Sequence, residues 1–354
     1  MSKLRKGIAV LLLMSFTTSL LACDKTTKPV VGEEKVKKDK IQIGITFDSF
    51  VIERWEREKD VFVSIAKELG AEVNVQSANG DIQSQRDQID YFIEKKVDVI
   101  VIVCMDSDGI RENVERAIDN GIRVIAYDRL ITDTPVDLYI SFDNEAVGRM
   151  MGEALIKKGI GKNSKVLMLG GPLTDNNVTL VEKGFKKVME DNGVTIVDSI
   201  HVEGWKAELA ATYIYQQLDT VMKIDAIMCG NDNIATQVIH ALAEKRLAGK
   251  VQVVGQDADL EACQCIVEGT QLMTVYKPVE RLAKIAAEYA VMLARGDSIS
   301  NTEAVNLTNG NYTVPYIRLN PVSVTAENMN EIIIADGFHL KEDVYYNVPD
   351  KMPK

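Results

Sequence analysis

Apolar runs alternate with helical periodicity along most of the chain. Runs that begin at Ile41, Ala71, Val97, Ile122 and Leu138 are rich in β-branched residues, and stretches 55–69 and 82–95 carry apolar residues three and four positions apart. Continuous apolar strands separated by amphipathic helices are typical of a parallel sheet covered on both faces. The first part of the chain therefore predicts an α/β lobe.

The same rhythm returns in the second half. VDVIVIVCMD at 97–106 corresponds to IDAIMCGND at 224–232, and IRVIAYDR at 122–129 corresponds to VQVVGQDA at 251–258. Each half has about 100 residues, which is enough to bury a core of its own. The pattern predicts an α/β fold of two similar Rossmann-like lobes, each built on a parallel sheet.

Polar residues concentrate where these predicted strands end. A parallel α/β sheet binds ligands outside the carboxyl ends of its strands, so such residues are candidates for a binding site. Asp and Asn also cap helices and make turns, and any single position is therefore weak evidence. The candidates are Asp48, Asp106, Asp128, Arg129, Asp143 and Asn144 in the first half, and Asp175, Asn176, Asn177, Trp205, Asn231, Asp232, Asp257 and Lys277 in the second.

This mixture of side chains fits a neutral polyhydroxyl ligand. Carboxylates accept hydrogen bonds, Arg and Lys donate them, and Asn does both, while each sugar hydroxyl donates once and accepts twice. The chain has two tryptophans, whose flat faces suit the C–H side of a sugar ring. Trp205, at a strand end, is predicted to contact the ligand. Trp55 follows the first strand beside Arg54 and is either a wall of the site or a packing residue.

Composition and missing motifs exclude several classes of protein. The net charge is −11 and no dense basic patch exists, which argues against a nucleic-acid partner. The chain lacks G-x-G-x-x-G, a phosphate-binding P-loop and a G-x-S-x-G elbow, and its three histidines are scattered. No paired Cys/His spacing suggests a metal. We expect no catalytic residues, no cofactor and no metal.

The first residues read as a targeting segment rather than as part of the fold. Basic residues precede an apolar run at 8–21 that is too short to span a membrane as a mature helix. The run ends in Leu20-Leu21-Ala22-Cys23, which resembles a bacterial lipobox. The resemblance implies a lipoprotein signal peptide at 1–22, a lipid on Cys23 and a flexible tether at 23–40. An ordinary signal peptide or signal anchor with a chance cysteine is the alternative.

A set of motifs resembles the bacterial D-xylose-binding proteins, a branch of the sugar-binding proteins with the two-lobed, type I periplasmic-binding-protein fold. The motifs cover nearly all of 41–340 and stand in that family's order. They are ERW at 53–55, VQSANG at 75–80, AYDR at 126–129, YISFDNE at 139–145, DNN at 175–177, GQDADL at 255–260, GTQLMTVYKP at 269–278 and DGFH at 336–339.

The resemblance implies a sugar held in the cleft between two lobes that the chain crosses three times. It implies an N-terminal lobe of residues 41–146 and 278–318, a C-terminal lobe of residues 147–277 and 319–345, and a tail at 346–354. Carried over motif by motif, the ligand-binding residues are Arg54, Arg129, Asp175, Asn177, Trp205, Asn231, Asp257 and Lys277. Asp48, Trp55 and Asp128 are further candidates from the strand-end set.

Two departures from the family's pattern concern the protein's surface. Asn233 and Ile234 replace small residues that follow Asn231 and Asp232 in the family, and Cys263 and Cys265 are unlike the relatives. Because neither change touches a motif residue, sugar binding is still expected. These changes could alter the lobe surface on which a membrane partner docks, and they therefore put the identity of that partner in doubt.

The expected function is capture of D-xylose or a related pentose outside the cytoplasm by a lipid-anchored protein on the outer face of the cell membrane. The family implies that it serves a sugar ABC transporter and docks on its permease. The alternative is a sensor that binds the extracellular domain of a membrane histidine kinase in a two-component system. An enzyme would need a nucleophile–base pair, and a transcription repressor would need a helix-turn-helix where this chain has a signal peptide.

Overall fold

The computed structural model describes residues 40–299 and 304–353, so the predicted signal peptide and nearly all of the predicted tether lie outside the described residues. The strands are β1 (Ile41–Phe47), β2 (Ala71–Ser77), β3 (Val99–Ile102), β4 (Arg123–Tyr127), β5 (Leu138–Phe142), β6 (Lys165–Gly170), β7 (Thr195–His201), β8 (Ala226–Cys229), β9 (Gln252–Gln256), β10 (Met273–Tyr276), β11 (Val305–Asn309), β12 (Tyr312–Leu319) and β13 (Val322–Val324).

The α-helices lie mostly between the strands. They are α1 (Arg54–Glu68), α2 (Ile82–Glu94), α3 (Arg111–Asp119), α4 (Asn144–Lys157), α5 (Asn176–Asp191), α6 (Ala207–Gln216), α7 (Leu218–Val221), α8 (Asp232–Glu244), α9 (Leu260–Glu268), α10 (Val279–Ala294) and α11 (Lys341–Val344). Short 3₁₀ helices span Glu203–Trp205 and Pro349–Lys351, and a π-helix spans Asn330–Ile334.

The strands of the described residues form two sheets, in the orders β11-β12-β5-β4-β3-β1-β2 and β13-β10-β9-β8-β6-β7. The chain therefore passes between the sheets after β5, after β10 and after β12. Two α/β lobes are confirmed. The predicted parallel pairing holds in both sheets except at one edge of each, where β11 pairs antiparallel with β12 and β13 pairs antiparallel with β10. The residue-level lobe boundaries stay a prediction.

Each sheet is buried on both faces because its central strands are apolar throughout. Val99 and Val101 of β3 pack into one core cluster, whereas Ile100 and Ile102 pack into another on the opposite face. Successive side chains of a strand point to opposite faces, so an unbroken apolar run covers both. The polar side chains at the strand ends are left to form the cleft.

A close helix contact fixes the orientation of α5, whose N-terminus faces that cleft. A side chain at Gly148 of α4 would overlap the backbone carbonyl of Val181, and one at Gly184 of α5 would overlap the carbonyl of Glu145. The two glycines thus let the helix backbones touch. Any larger residue would push α5, and the polar residues at its start, away from the second sheet.

Candidate functional site

A cavity lies between the two lobes, where the carboxyl ends of their strands meet. About 450 Å³ of space between its walls, open solvent included, is not filled by protein atoms. Ten of the residues predicted from the sequence line it: Arg54, Trp55, Asp128, Arg129, Asp175, Asn177, Trp205, Asn231, Asp257 and Lys277.

Six of the strand-end candidates do not line the cavity: Asp106, Asp143, Asn144, Asn176, Asp232 and Asp48. Asp48 is the one of these six that was also named as a further ligand-binding candidate. It is buried at the end of β1, and its Oδ2 accepts a hydrogen bond from Arg129 Nη1 at 2.8 Å. A strand-end position alone could not distinguish a wall residue from one behind the wall. Here Asp48 holds an arginine that does line the cavity.

Arg54 begins α1 and is held from several sides. Its Nη2 lies 2.5 Å from Asp128 Oδ2, and its guanidinium carbon lies 4.0 Å from the centre of the Trp55 ring. Its Nε lies 3.9 Å from Oδ1 of Asp257, which follows β9 of the other sheet. The side chain is 3% exposed, so its charge is neutralised almost entirely by protein groups.

Arg129 joins the lobes in the same way. Its Nη1 binds Asp48 on its own lobe, and its Nε lies 2.7 Å from Oδ2 of Asp175 on the other. Lys277 completes the charged set, with its Nζ 3.0 Å from Asp257 Oδ1. Three buried cations therefore face carboxylates from both lobes across one cavity.

Two site residues cap helices and line the cavity at the same time. Asp175 caps α5 by accepting from the backbone N–H of Asn177 at 2.9 Å, and Asn231 caps α8 by accepting from that of Ile234 at 2.9 Å. A cap uses one oxygen of the side chain. The other Asp175 oxygen faces Arg129, and the amide group of Asn231 remains as a donor. Capping and ligand contact are thus compatible roles.

Asn177 ties the lobes together beside these caps. Its Nδ2 donates to the backbone oxygen and to Oδ1 of Asp128, both at 3.1 Å, and its Oδ1 accepts from Asn144 Nδ2 at 2.9 Å. Asp128 is consequently shared between Arg54 and Asn177. This arrangement fixes the carboxylate in one orientation towards the cavity.

Trp205 is placed by strained backbone and a glycine. It closes the Glu203–Trp205 helix with a φ of 58°, a left-handed conformation that bulky residues rarely adopt. Its ring lies directly against Gly171, where any side chain would collide with it. Asp128 and Asp257 also have positive φ values, 61° and 100°. Such strain at three cavity residues is typical of a preorganised binding site.

The charges of the site are set by burial and by these pairs. Burial opposes the charged form of Arg54, but Asp128, Glu58 and Asp257 outweigh it and raise the pKa of that guanidinium above its ordinary value. Burial also works against the Asp128 carboxylate, yet Arg54 and Lys277 lower its pKa. Burial raises the pKa of Asp175, and Arg129 offsets part of that rise.

Sequence reasoning missed three polar side chains at or near the cavity. Gln256 and Glu182 line it, and Glu58 lies behind Arg54 without lining it. Glu182 is 4% exposed and contacts His201 and Lys186. Glutamates at 58 and 182 read as surface positions of amphipathic helices, so the sequence carried no signal for either. Gln256 was detectable, because it directly precedes Asp257 at the end of a predicted strand.

The arrangement supports binding rather than bond cleavage. Side chains that donate and side chains that accept hydrogen bonds both line the cavity, together with Trp55 and Trp205. Within residues 40–299 and 304–353, the indole nitrogens of Trp55 and Trp205 and the Oε1 of Gln256 have no hydrogen-bond partner. Buried polar atoms of this kind are suited to a ligand that both donates and accepts.

Two α/β lobes with a polar cavity between their strand ends define a bilobal ligand-binding protein. The chain belongs to the periplasmic binding protein family, since residues 43–298 match the periplasmic binding protein domain. Members of this family are extracytoplasmic sugar-binding components of transport systems, and the family resemblance inferred from the motifs is confirmed.

Individual relatives are similar over nearly the whole folded part. The D-xylose-binding periplasmic protein of Haemophilus influenzae is 39% identical over 311 residues, which are 86% of this chain and 92% of that protein. The D-xylose-binding periplasmic protein of Escherichia coli is 40% identical over 309 residues, with the same coverage of 86% and 92%.

Solved structures agree with this assignment. An ABC transporter solute binding protein from Clostridium phytofermentans with bound β-D-glucose matches with a TM-score of 0.77 and 26% identity, covering 86% of this chain and 99% of that one. Within the described part of the chain, no helix has the length and apolar character needed to cross a bilayer.

Proposed function

We propose that this protein captures D-xylose or a closely related pentose outside the cytoplasm and delivers it to the permease of an ABC transporter. The observation that carries the proposal is the cavity itself, which combines Arg54, Arg129 and Lys277 with carboxylates and amides of both lobes and with two tryptophans. The near 40% identity to two D-xylose-binding periplasmic proteins supports the choice of sugar.

Binding follows from contacts that exist only when the lobes are closed. A sugar that bonds Asp128 and Arg54 on one lobe and Asp257 and Asn231 on the other favours the closed form over the open one. A micromolar dissociation constant requires about −8 kcal/mol. The summed free energy of several charged hydrogen bonds and a stacked ring is nominally larger than this value. Desolvation of polar groups and the loss of translational and rotational freedom offset the difference. Because relatives are sugar-binding components of transport systems, we infer that this protein binds its sugar without converting it.

Calorimetric titration of the mature protein tests the ligand. D-xylose is expected to bind with a micromolar or tighter dissociation constant, and D-ribose, L-arabinose and D-glucose more weakly. If no pentose binds, the proposed function is wrong. If D-glucose binds more tightly than any pentose, the proposed transport role stands, but the proposed substrate changes to a hexose.

We further propose that a lipid on Cys23 holds the protein at the outer face of the membrane. The motif Leu20-Leu21-Ala22-Cys23 supports this, and lipid chains contribute roughly 0.8 kcal/mol per buried methylene. The wild-type protein should take up labelled palmitate and fractionate with membranes. Cys23→Ala should do neither, and a Cys23→Ala protein that still fractionates with membranes would contradict the lipid anchor.

The sensor alternative uses the same closed lobes but a different partner. Co-purification from detergent-solubilised membranes, with and without D-xylose, separates the two. The transport proposal expects the permease to be recovered, together with loss of xylose uptake in a deletion strain. Recovery of a histidine kinase with uptake unchanged would instead favour the two-component role.

A further inference from the structure

Glu58 lies one helical turn beyond Arg54 on α1 and contacts the side of its guanidinium that faces away from Asp257. Glu58 Oε1 lies 3.0 Å from Arg54 Nη1, and the Glu58 side chain is 1% exposed. It does not line the cavity. A buried glutamate is costly on a helix face where leucine would pack without penalty, so its presence requires a compensating contact.

That compensation comes from Tyr127, the last residue of β4. Its hydroxyl donates to Glu58 Oε2, and Tyr127 is itself 1% exposed. The next two residues along the chain are Asp128 and Arg129, which line the cavity. Glu58 therefore connects α1 to the strand end that supplies two other cavity residues.

Arg54 is consequently held on three sides. Asp128 contacts Nη2, Glu58 contacts Nη1, and the Trp55 ring packs against the flat face. A free arginine side chain has many rotamers, and ordering it on binding would weaken affinity. With the guanidinium already fixed, that entropy is lost during folding rather than when the sugar arrives.

Glu58 can hold Arg54 whether or not it is ionised. Burial raises its pKa to about 8, against the lowering effect of Arg54. Arg54 Nη1 and Glu58 Oε1 are in contact without forming a hydrogen bond, so the neutral carboxyl keeps this contact and also remains a partner for the Tyr127 hydroxyl. Glutamine has the same shape and keeps both functions, whereas leucine keeps only the volume.

We propose that Glu58, supported by Tyr127, is a positioning residue that holds the Arg54 guanidinium in its sugar-binding orientation. The inference rests on the proposed function, because it concerns affinity for the pentose. Glu58 acts through Arg54 and makes no contact with the sugar itself.

Calorimetric titration with D-xylose, performed on correctly folded variants, tests the proposal. Glu58→Leu should weaken binding at least tenfold, and Tyr127→Phe about threefold to tenfold. Glu58→Gln should stay within threefold of wild type. Glu56→Gln is the matched control, because Glu56 lies on the same helix, is exposed and pairs with Lys59 rather than with a cavity residue. It should bind as wild type does.

A double-mutant cycle separates positioning from a general structural role. In an Arg54→Ala background, Glu58→Leu should change affinity less than twofold, because the side chain it positions is gone. In an Asn231→Ala background, Glu58→Leu should again weaken D-xylose binding at least tenfold. Equal losses in both backgrounds would overturn the proposal. If Glu58→Leu does not fold, Tyr127→Phe carries the same cycle.

The outcomes also distinguish this inference from the proposed function. Wild-type protein that binds no pentose would overturn both. Wild-type protein that binds D-xylose, with Glu58→Leu and Tyr127→Phe binding equally well, would overturn only the positioning role. Loss of binding in Glu56→Gln would mean that any change on α1 impairs binding, and this result would also contradict the positioning role of Glu58.

Discussion

Arg129 Nε lies 2.7 Å from Asp175 Oδ2, and this ion pair joins the two lobes beside the cavity. Arg129 follows β4 of the first sheet, whereas Asp175 precedes α5 of the second lobe. Both side chains are 3% exposed, so the pair forms only where the lobes meet closely. Closure therefore buries a charge pair as well as the sugar.

Asp175→Asn should separate the charge of this residue from its capping role. Asn caps helices as well as Asp does, so α5 keeps its N-cap, but Arg129 loses one of its two carboxylate partners. We expect D-xylose affinity to fall about tenfold or more by calorimetry, with little change in helix content by circular dichroism.

Asp143→Asn is the matched control for this change. Asp143 caps α4 by accepting from the backbone N–H of Ala146 at 2.9 Å and does not line the cavity. Its substitution should leave affinity within twofold. Equal losses in the two variants would mean that capping, and not the link between lobes, governs binding.

Residues at strand ends were predictable because the topology of an α/β sheet dictates where they meet. The apolar runs located β1 to β5, β8 and β9, and the carboxyl-end rule was enough to gather Arg129, Asp175, Asn231 and Asp257 around one cleft. The rule does not tell whether a strand-end side chain lines the cavity or lies behind the residues that do. Asp48 satisfies it as well as Asp128 does, yet Asp48 lies behind Arg129 and Asp128 lines the cavity.

The features that escaped prediction depend on distant partners. β12 pairs with β5 at Tyr316↔Tyr139, and nothing local marks it as a strand of the first sheet, so only the family resemblance assigned residues 278–318 to that lobe. Glu58 stands in the highly charged stretch EREKD, which reads as a solvated helix face, and only Arg54 and Tyr127 make it a buried position. The structure resolves such cases because burial is a property of the whole fold.

Fluorescence should distinguish the two tryptophans. Trp205 lies against Gly171 on one lobe, and Trp55 is covered by the Arg54 guanidinium on the other. If Trp205 stacks on the sugar, the emission change on adding D-xylose should persist in Trp55→Phe and disappear in Trp205→Phe. Affinity should fall more in Trp205→Ala than in Trp55→Phe. The reverse pattern would assign stacking to Trp55.

A contact at the cleft edge should tune affinity without touching the ligand. The backbone N–H of Ser107 donates to the Thr174 carbonyl at 2.9 Å, and the N–H of Asn176 donates to Ser107 Oγ at 3.2 Å, so the lobes are bonded outside the cavity. Ser107→Ala removes the second bond, which contributes about 0.5–1.5 kcal/mol. We expect a twofold to tenfold faster release of D-xylose in stopped-flow displacement.

Ser77→Ala is the control for that experiment, since the Ser77 hydroxyl contacts only Asn79 of the same lobe. It should release the sugar at the wild-type rate. Wild-type release from Ser107→Ala would mean that the cleft-edge bond makes no contribution to the closed form.

Asp257→Ala should weaken D-xylose binding more than tenfold. Asp257 Oδ1 lies 3.0 Å from Lys277 Nζ and 3.9 Å from Arg54 Nε, so its loss leaves buried cations and sugar hydroxyls without an acceptor. Its φ of 100° disfavours alanine, and Asp257→Asn should be titrated alongside because Asn tolerates positive φ better. Unchanged affinity in both variants would remove Asp257 from the site.

The stability of the protein should fall as pH rises from about 4.5 to 8. Asp232 is fully buried, accepting from Thr274 Oγ1 at 2.6 Å and from Gln271 Nε2 at 2.9 Å. Burial raises its pKa to about 8. Across this window the unfolded chain ionises while the folded one keeps its proton, so each pH unit lowers the free energy of unfolding by up to about 1.4 kcal/mol.

Asp232→Asn tests the joint contribution of Asp232 and its neighbour Asp259, because the amide mimics the neutral acid at every pH and removes a charge that raises the pKa of buried Asp259. Thermal melting should give equal stability for the variant and wild type near pH 5 and a more stable variant near pH 8. Asp128 does not interfere, since its lowered pKa acts below the window. The lowered pKa of His339 raises stability with pH below about 6.5 in both proteins and cancels in the difference. Parallel curves for the two proteins would show that Asp232 is ionised in the folded state.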